Sequence, residues 1–216
     1  KRLILNSQSE HQSDIDKLIL LILDFNGHKI EQLITDLCQN TSLIDVYNDV
    51  FLSLFKKIGE LWQVDTINII HEHYFSNIFK QFLISEIQKI TPSTNSSKKA
   101  LLFLHDTEEH EFSILIYKYI LKSNGFQCFY FGQKTAINEI PEAVEQINPD
   151  LIITTFTSKI SDKFLSKITA LLNKYSGKHK IIVSGNQLNN MSTEFDKSIS
   201  KIDSIFDASF FFLVLK

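Results

Sequence analysis

His110 is the residue of this sequence whose type and surroundings most directly predict chemistry. It lies in the acidic segment 105–111 (HDTEEHE), where a predicted strand gives way to a predicted helix. A neutral imidazole can bind a metal ion through one ring nitrogen while a carboxylate holds the N–H of the other nitrogen. The same acidic residues would also offset the dipole of a helix that begins here. The segment alone leaves both interpretations open.

Other residue types with chemical potential are less well placed. His71 and His73 flank Glu72, but side chains two residues apart on a helix point in different directions, and no third zinc ligand is close in the sequence. Cys38 and Cys128 are too few and too scattered for a disulfide framework or a thiolate metal site. The sequence contains neither the glycine-rich dinucleotide motif nor the P-loop motif, which excludes those nucleotide-binding classes.

The composition is that of a soluble globular protein. The chain has 216 residues, of which 44% are hydrophobic and 22% are charged, and its formal net charge is -3. This acidic balance argues against a nucleic-acid-binding surface within these residues. The scarcity of cysteine predicts a reducing, cytoplasmic location, and the apolar tail Phe210–Leu215 is far shorter than the roughly 20 residues that span a bilayer. Because the sequence begins with Lys1 and not with Met, we expect it to be part of a longer protein.

The N-terminal part of the chain has the apolar periodicity of helices. The clearest stripe covers residues 43–62, with Ser42 placed as its N-terminal cap. The last stripe covers about residues 67–90, with Asp65 or Thr66 as its cap. Four such stripes, joined by short connections, predict a four-helix bundle.

After the Ser- and Thr-rich segment Thr91–Ser97, the pattern changes to short apolar runs that alternate with helical stretches. The runs are of the type found in buried strands: Ala100–Leu104, Gln127–Phe131, Leu151–Phe156 and Lys180–Val183. Such alternation predicts a Rossmann-like (flavodoxin-like) parallel sheet, in which ligands lie beyond the carboxyl ends of the strands. The predicted organisation is a helical bundle cap domain, a linker and a Rossmann-like domain, over residues 1–90, 91–98 and 99–216.

Short motifs stand at the ends of three of these predicted strands. They are Glu108-x-His110-x-x-Ser113, Thr155-Phe156-Thr157 and Ser184-Gly185. Their order and spacing resemble the cobalamin-binding fold of methionine synthase, the mutases and the CarH-type regulators of the MerR family, whose motifs read D/E-x-H-x-x-G, S-x-L or S-x-T, and Gly-Gly. The resemblance implies that His110 replaces the cofactor's own base beneath cobalt. Ser113 and Ser184 stand where that family has Gly. Because Ser is the smallest polar side chain, two outcomes stay open: the site tolerates it, or it partly fills the channel for the nucleotide tail.

The helical part carries a second resemblance. Trp62, Glu72 and His73 form the pattern W-x9-E-H, which is similar to the helical cap of CarH- and LitR-like photoreceptor regulators. The resemblance implies that Trp62 packs over the adenosyl group of adenosylcobalamin, or over the upper face of another cobalamin, and that Glu72 contacts the same face. His73 would take the upper cobalt position after light cleaves the cobalt–carbon bond. Because Trp62 is the last residue of an apolar stripe, the alternative is that its side chain is an ordinary aromatic group of the core and has no role in binding.

The resulting expectation is a cobalamin-binding sensor module of a transcription regulator, which is not an enzyme, associates with copies of itself and has no membrane partner. DNA would be bound only through an N-terminal winged-helix domain outside this sequence. Two alternatives stay open. One is a regulator of the same fold that has lost cobalamin and binds another small ligand or a protein, which Ser113 and Ser184 favour. The other is a corrinoid methyl carrier, which Trp62 and His73 disfavour because a methyl carrier needs an open upper face.

Overall fold

The structure of the chain, a computed structural model, describes residues 11–91, 98–191 and 194–202. The chain divides into two units, Lys1–Ile84 and Ser85–Lys216. The greater part of the predicted linker 91–98 lies outside the described residues, and so does the apolar tail Phe210–Leu215. No helix in the described ranges is long and apolar enough to cross a membrane.

The first unit is built from helices, as the periodicity predicts. The helices are α1 (Gln12–Leu23), α2 (Gly27–Gln39), α3 (Leu43–Val46), α4 (Leu52–Gln63) and α5 (Ile69–Lys89), the last of which continues into the second unit. The segment Tyr47–Phe51 between α3 and α4 is a π-helical turn. The third predicted stripe is therefore one continuous helical rod that is locally widened in its middle.

The two predicted helix caps have different outcomes. Ser42 caps α3, because its hydroxyl accepts a hydrogen bond from the N–H of Asp45 at 3.2 Å. The prediction that Asp65 or Thr66 caps α5 is wrong. Asp65 has a left-handed backbone (φ +56°) in the turn after α4, which is not the extended conformation of an N-cap residue. Asn68 is the cap, since its side-chain oxygen accepts hydrogen bonds from the first N–H groups of α5.

Aromatic side chains form the centre of the first unit. Phe51, Phe75 and Phe79 are fully buried. The rings of Phe51 and Phe79 have centroids 4.2 Å apart, and those of Phe75 and Phe79 stack at 6.0 Å. Because Phe75 and Phe79 are one helical turn apart on α5, they present a single aromatic face to the other helices of the unit.

The second unit contains a parallel sheet with helices, which confirms the predicted Rossmann-like fold. Its described strands are β1 (Lys99–Phe103), β2 (Gln127–Tyr130), β3 (Leu151–Thr155), β4 (Lys180–Ser184) and β5 (Ser200–Ile202), in the spatial order β2-β1-β3-β4-β5. The helices are α6 (Phe112–Ser123), α7 (Ile140–Ile147) and α8 (Asp162–Tyr175). The sequence did not predict β5, because three residues with mixed burial do not make an apolar run.

The strand order places a crevice at the carboxyl ends of β1 and β3. The chain leaves β1 towards β2 on one side and then crosses back to β3 on the other. In open parallel sheets, ligands bind where the connections diverge in this way. The loops that follow β1 and β3 therefore form the edge at which function is expected.

Candidate functional site

Glu108 is the centre of this edge and is completely buried. Its Oε2 accepts hydrogen bonds from the backbone N–H groups of Thr157 and Ser158, at 2.7 and 2.8 Å. Its Oε1 accepts from the N–H of His110 at 2.9 Å and from the hydroxyl of Ser158 at 2.9 Å. One carboxylate thus fastens the loop after β1 to the loop after β3.

The hydrogen bonds to Glu108 keep it ionised. Burial by itself raises the pKa of this carboxyl, but the His110 side chain and the backbone N–H groups of Ser158, His110 and Thr157 donate to it and lower its pKa from 4.5 to about 2. An ionised carboxylate can only accept hydrogen bonds. Every polar neighbour named here therefore has to present a hydrogen to it.

His110 is held by this carboxylate through one ring nitrogen. Its Nδ1 lies 2.8 Å from Oε1 of Glu108 and 2.9 Å from Oγ of Ser158. Because Glu108 is an acceptor, Nδ1 carries the hydrogen, and the lone pair of the neutral ring then resides on Nε2. The side chain of His110 is 64% exposed. The arrangement is that of a metal-ligating histidine oriented by a carboxylate.

His105 lies beneath the same loop and is 1% exposed. Its ring stacks on Phe156 with centroids 5.4 Å apart, and its Nδ1 is 3.2 Å from the hydroxyl of Thr107. Burial lowers the pKa of His105, although Glu108 and Asp106 act in the opposite direction. The lowered pKa favours the neutral form of the ring, which packs on Phe156. Among the described residues, its Nε2 has no hydrogen-bond partner.

The loop after β1 is also tied to the loop after β2. A carboxylate oxygen of Asp106 accepts a hydrogen bond from the N–H of Ile137 at 2.9 Å. Lys134 forms an ion pair with Glu109 at 2.6 Å, and the side-chain amide of Gln133 donates to the carbonyl of Glu109. Anchoring on two sides preorganises the loop that carries His110.

The other residues of the predicted motifs take different positions. Thr157 contributes its backbone N–H to Glu108, and Ser113 is half-buried in the first turn of α6. Thr155 and Ser184 are paired in the sheet register and so lie on the same face. That face is the one covered by α6, since the hydroxyl of Tyr117 donates to Oγ of Ser184 at 2.7 Å. Both Thr155 and Ser184 are buried.

Gly185 is required by the chain's own backbone. It has φ +120°, and a Cβ added to it would lie 2.3 Å from the carbonyl oxygen of Phe156. Only glycine accepts that conformation and that approach. The loop after β4 is therefore packed directly on the loop after β3, at Phe156, which Thr157 and Ser158 follow.

A groove opens along the same edge of the sheet. Its volume is about 310 Å³, and it is bordered by residues of the loops after β3 and β4 and of α8: Lys159, Ile160, Asp162, Leu165, Gln187, Asn190 and Met191. Its lining mixes charged, amide and apolar side chains. Such a lining suits a ligand that carries both hydrogen-bonding groups and hydrocarbon.

Trp62, Glu72 and His73 belong to the first unit. Trp62 is 57% exposed, so its interpretation as an ordinary core aromatic is wrong. Val64, in the connection after α4, and Ile69 and Ile70, at the start of α5, are exposed apolar side chains as well.

Glu72 and His73 form a pair near the start of α5. Oε2 of Glu72 is 2.9 Å from Nδ1 of His73, and Ser76 donates to the other oxygen at 2.9 Å. His71 turns elsewhere, stacking on Phe25 with centroids 4.6 Å apart. The rings of His71 and His73 therefore do not converge on a shared ion.

Two residues of the site were not identified from the sequence. Ser158 reaches Glu108 and His110 across about 50 positions, and Tyr117 reaches Ser184 across 67. The only local signal was that Ser158 directly follows the Thr155-Phe156-Thr157 motif. Such contacts depend on which strand ends become neighbours in the sheet, which periodicity does not report.

Comparisons with known proteins bear on both units. A family model described as a B12 binding domain matches residues 14–84, which include Trp62, Glu72 and His73. The HTH-type transcriptional repressor CarH of Myxococcus xanthus is 23% identical over 129 residues, which is 59% of this chain. The chain spans 42% of the length of that curated relative.

Among solved structures, the fold is similar to the monomethylamine corrinoid protein of Methanosarcina barkeri. The TM-score is 0.68 at 15% sequence identity, and the match covers 95% of this chain and 100% of that one. This likeness establishes the predicted order of a helical region followed by a Rossmann-like domain.

Proposed function

We propose that this chain binds a corrinoid cofactor, with His110 as the lower cobalt ligand, and acts as the sensor module of a transcription regulator. The observation that carries the proposal is the buried, ionised Glu108 that holds Nδ1 of His110 at 2.8 Å. Such a pair orients the ring, fixes its tautomer and raises the basicity of Nε2, as second-shell carboxylates do at metal sites. The donor set therefore suits the lower face of a corrinoid.

The residues of the two units have separate roles in this proposal. A bound adenosylcobalamin would supply a cobalt–carbon bond that visible light can break. His110 would hold the cobalt, and Glu108 and Ser158 would orient its ring through Nδ1. Trp62, Glu72 and His73 would contact the upper face, in keeping with the exposure of Trp62 and the match of residues 14–84 to a B12 binding domain.

The regulatory role is supported by the similarity to the repressor CarH. We propose a binding module that is not itself an enzyme, that works in the cytoplasm and that associates with copies of itself. DNA would be contacted by a winged-helix domain N-terminal to these residues. The acidic net charge of the chain is consistent with a module that does not bind DNA by itself.

Two other candidate functions each have an observation in their favour. The buried contact between Tyr117 and Ser184 favours a regulator of the same fold that binds no corrinoid. The extent of the fold likeness to a corrinoid protein favours a methyl carrier. Cofactor retention tests the first candidate, and the response to light tests the second.

Purified protein mixed with adenosylcobalamin in the dark and then desalted is expected to retain the red cofactor. Replacing His110 by alanine is expected to weaken binding by about tenfold or more and to change the visible spectrum, because a cobalt ligand is lost. His28→Ala, which removes an exposed imidazole on α2, serves as the matched control. A colourless wild-type protein at saturating cofactor would leave the corrinoid-free regulator as the better account.

The complex with adenosylcobalamin is expected to elute as a larger species in the dark than after green illumination. A ligand shifts an assembly equilibrium only if it contacts the two states differently, and Trp62 is the candidate contact with the adenosyl group. His73→Ala should preserve the dark species and alter the spectrum of the illuminated protein. Identical elution in both conditions, with cofactor bound, would remove the light-sensing role and favour the methyl carrier.

A further inference from the structure

Tyr117 fills the interior between α6 and the ends of β3 and β4. Its side chain is fully buried and is one of the largest fully buried groups of the chain. Its hydroxyl donates a hydrogen bond to Oγ of Ser184, which is itself 3% exposed. Thr155, the register partner of Ser184, lies on the same face. The side chain of Tyr117 therefore occupies the space between α6 and the sheet, next to the ends of β3 and β4.

The helix that carries Tyr117 begins close in the chain to the proposed lower ligand. α6 begins at Phe112, two residues after His110. Tyr117 is five residues further along that helix, a distance of about 7.5 Å along its axis at the usual rise. A group that followed the inner side of α6 from its first residue would reach Tyr117 after about one and a half helical turns.

Cobalamin carries such a group. Its nucleotide arm is attached to the rim of the corrin ring and supplies the base that coordinates cobalt from below. A protein imidazole in that position displaces the base, but the arm remains attached on the same side of the ring. An arm directed into this protein would have to break the hydrogen bond between Tyr117 and Ser184 and expel a close-packed aromatic ring. A corrinoid without the arm would bind without breaking this hydrogen bond and without displacing the ring.

We infer that this chain recognises the corrin ring and its cobalt and makes no use of the nucleotide arm. Its ligand class would then be corrinoids irrespective of their lower base, including cobinamide, which has no nucleotide at all. The inference rests on the proposed function, since it assigns the ligand class of the same site. It concerns Tyr117 and Ser184, two residues that the lower-ligand proposal does not need.

The test compares two ligands on the full chain. Dissociation constants for hydroxocobalamin and for the corresponding hydroxo form of cobinamide are measured by absorbance titration in the dark. Because cobinamide has no base to displace, it is expected to bind at least as tightly as cobalamin. A wild-type preference for cobalamin of about threefold or more would overturn the inference. If neither ligand binds, both the proposed function and this inference are wrong.

Variants of Tyr117 show whether this side chain is the cause. Tyr117→Ala is expected to tighten cobalamin binding relative to cobinamide by about tenfold, because it opens space for the arm alone. Tyr117→Phe is the matched control, since it keeps the ring and removes only the hydroxyl, and it should leave the ratio of the two constants unchanged. A folded Tyr117→Ala protein with the wild-type ratio would contradict the inference. If this variant does not fold, the wild-type comparison alone decides.

Discussion

Replacing Glu108 by glutamine is expected to lower the free energy of unfolding by about 3 kcal/mol. The glutamine side chain has one acceptor oxygen where the carboxylate has two, and its NH₂ group would face N–H or O–H donors. The N–H groups of Thr157 and Ser158 or the imidazole of His110 would then lose their acceptor within a buried site. Leaving buried donors unsatisfied is among the costliest effects of a single substitution.

Urea denaturation of the corrinoid-free protein measures this effect without reference to function. The matched control is Glu109→Gln, one residue along the chain. Glu109 is exposed and pairs with Lys134 at the surface, where solvent screens the ion pair, so its neutralisation should change stability far less than the change at Glu108. Equal stability of the two variants would show that the loop does not depend on the buried carboxylate.

The pH dependence of the stability difference between wild type and Glu108→Gln supplies a second measurement. The pKa of Glu108 is lowered from 4.5 to about 2 in the folded protein. A lowered pKa means that the ionised group stabilises the fold fully above the unfolded value, and that this stabilisation is lost as the pH falls through the folded value. The stability difference between wild type and Glu108→Gln should therefore shrink between pH 4.5 and pH 2. A difference that stays constant over this range would contradict the assigned charge.

Replacing Gly185 by alanine is expected to cost about 2–4 kcal/mol of stability. The new Cβ would lie 2.3 Å from the carbonyl oxygen of Phe156, which is backbone and cannot rotate away, and φ +120° is strained for any L side chain. The loops after β3 and β4 would have to separate. Since Thr157 and Ser158 follow Phe156 directly, we also expect the hydrogen bonds to Glu108 to weaken and His110 to lose its fixed orientation.

Gly132→Ala separates the steric contact with Phe156 from the strain of a left-handed backbone. Gly132 also has a left-handed backbone, with φ +83°, but a Cβ placed there would meet nothing within 4 Å. Its substitution should therefore cost only the conformational penalty, about 1 kcal/mol. Thermal unfolding of both variants beside wild type measures the difference. Equal losses would mean that the contact with Phe156 is relieved without disturbing the loop.

The sequence by itself determined most of the elements and two neighbouring residues of the candidate site. The apolar stripes predicted the helical bundle, the short apolar runs predicted strands β1 to β4, and Ser42 was placed as a cap. These features depend on neighbours within a few positions, and hydrophobic periodicity and capping chemistry report such neighbours directly. The sequence also predicted that a carboxylate close in the chain could hold one ring nitrogen of His110, and the structure assigns this role to Glu108.

The tertiary structure decided everything that depends on distant partners. Ser158 and the N–H of Thr157 meet Glu108 because β1 and β3 are adjacent in the sheet, and Tyr117 meets Ser184 because α6 lies over the same face. It also made Gly185 obligatory, through a backbone approach to Phe156 that spacing cannot reveal. Trp62 completes an apolar stripe yet is exposed, because a stripe identifies a helix face and only packing determines how much of that face is covered.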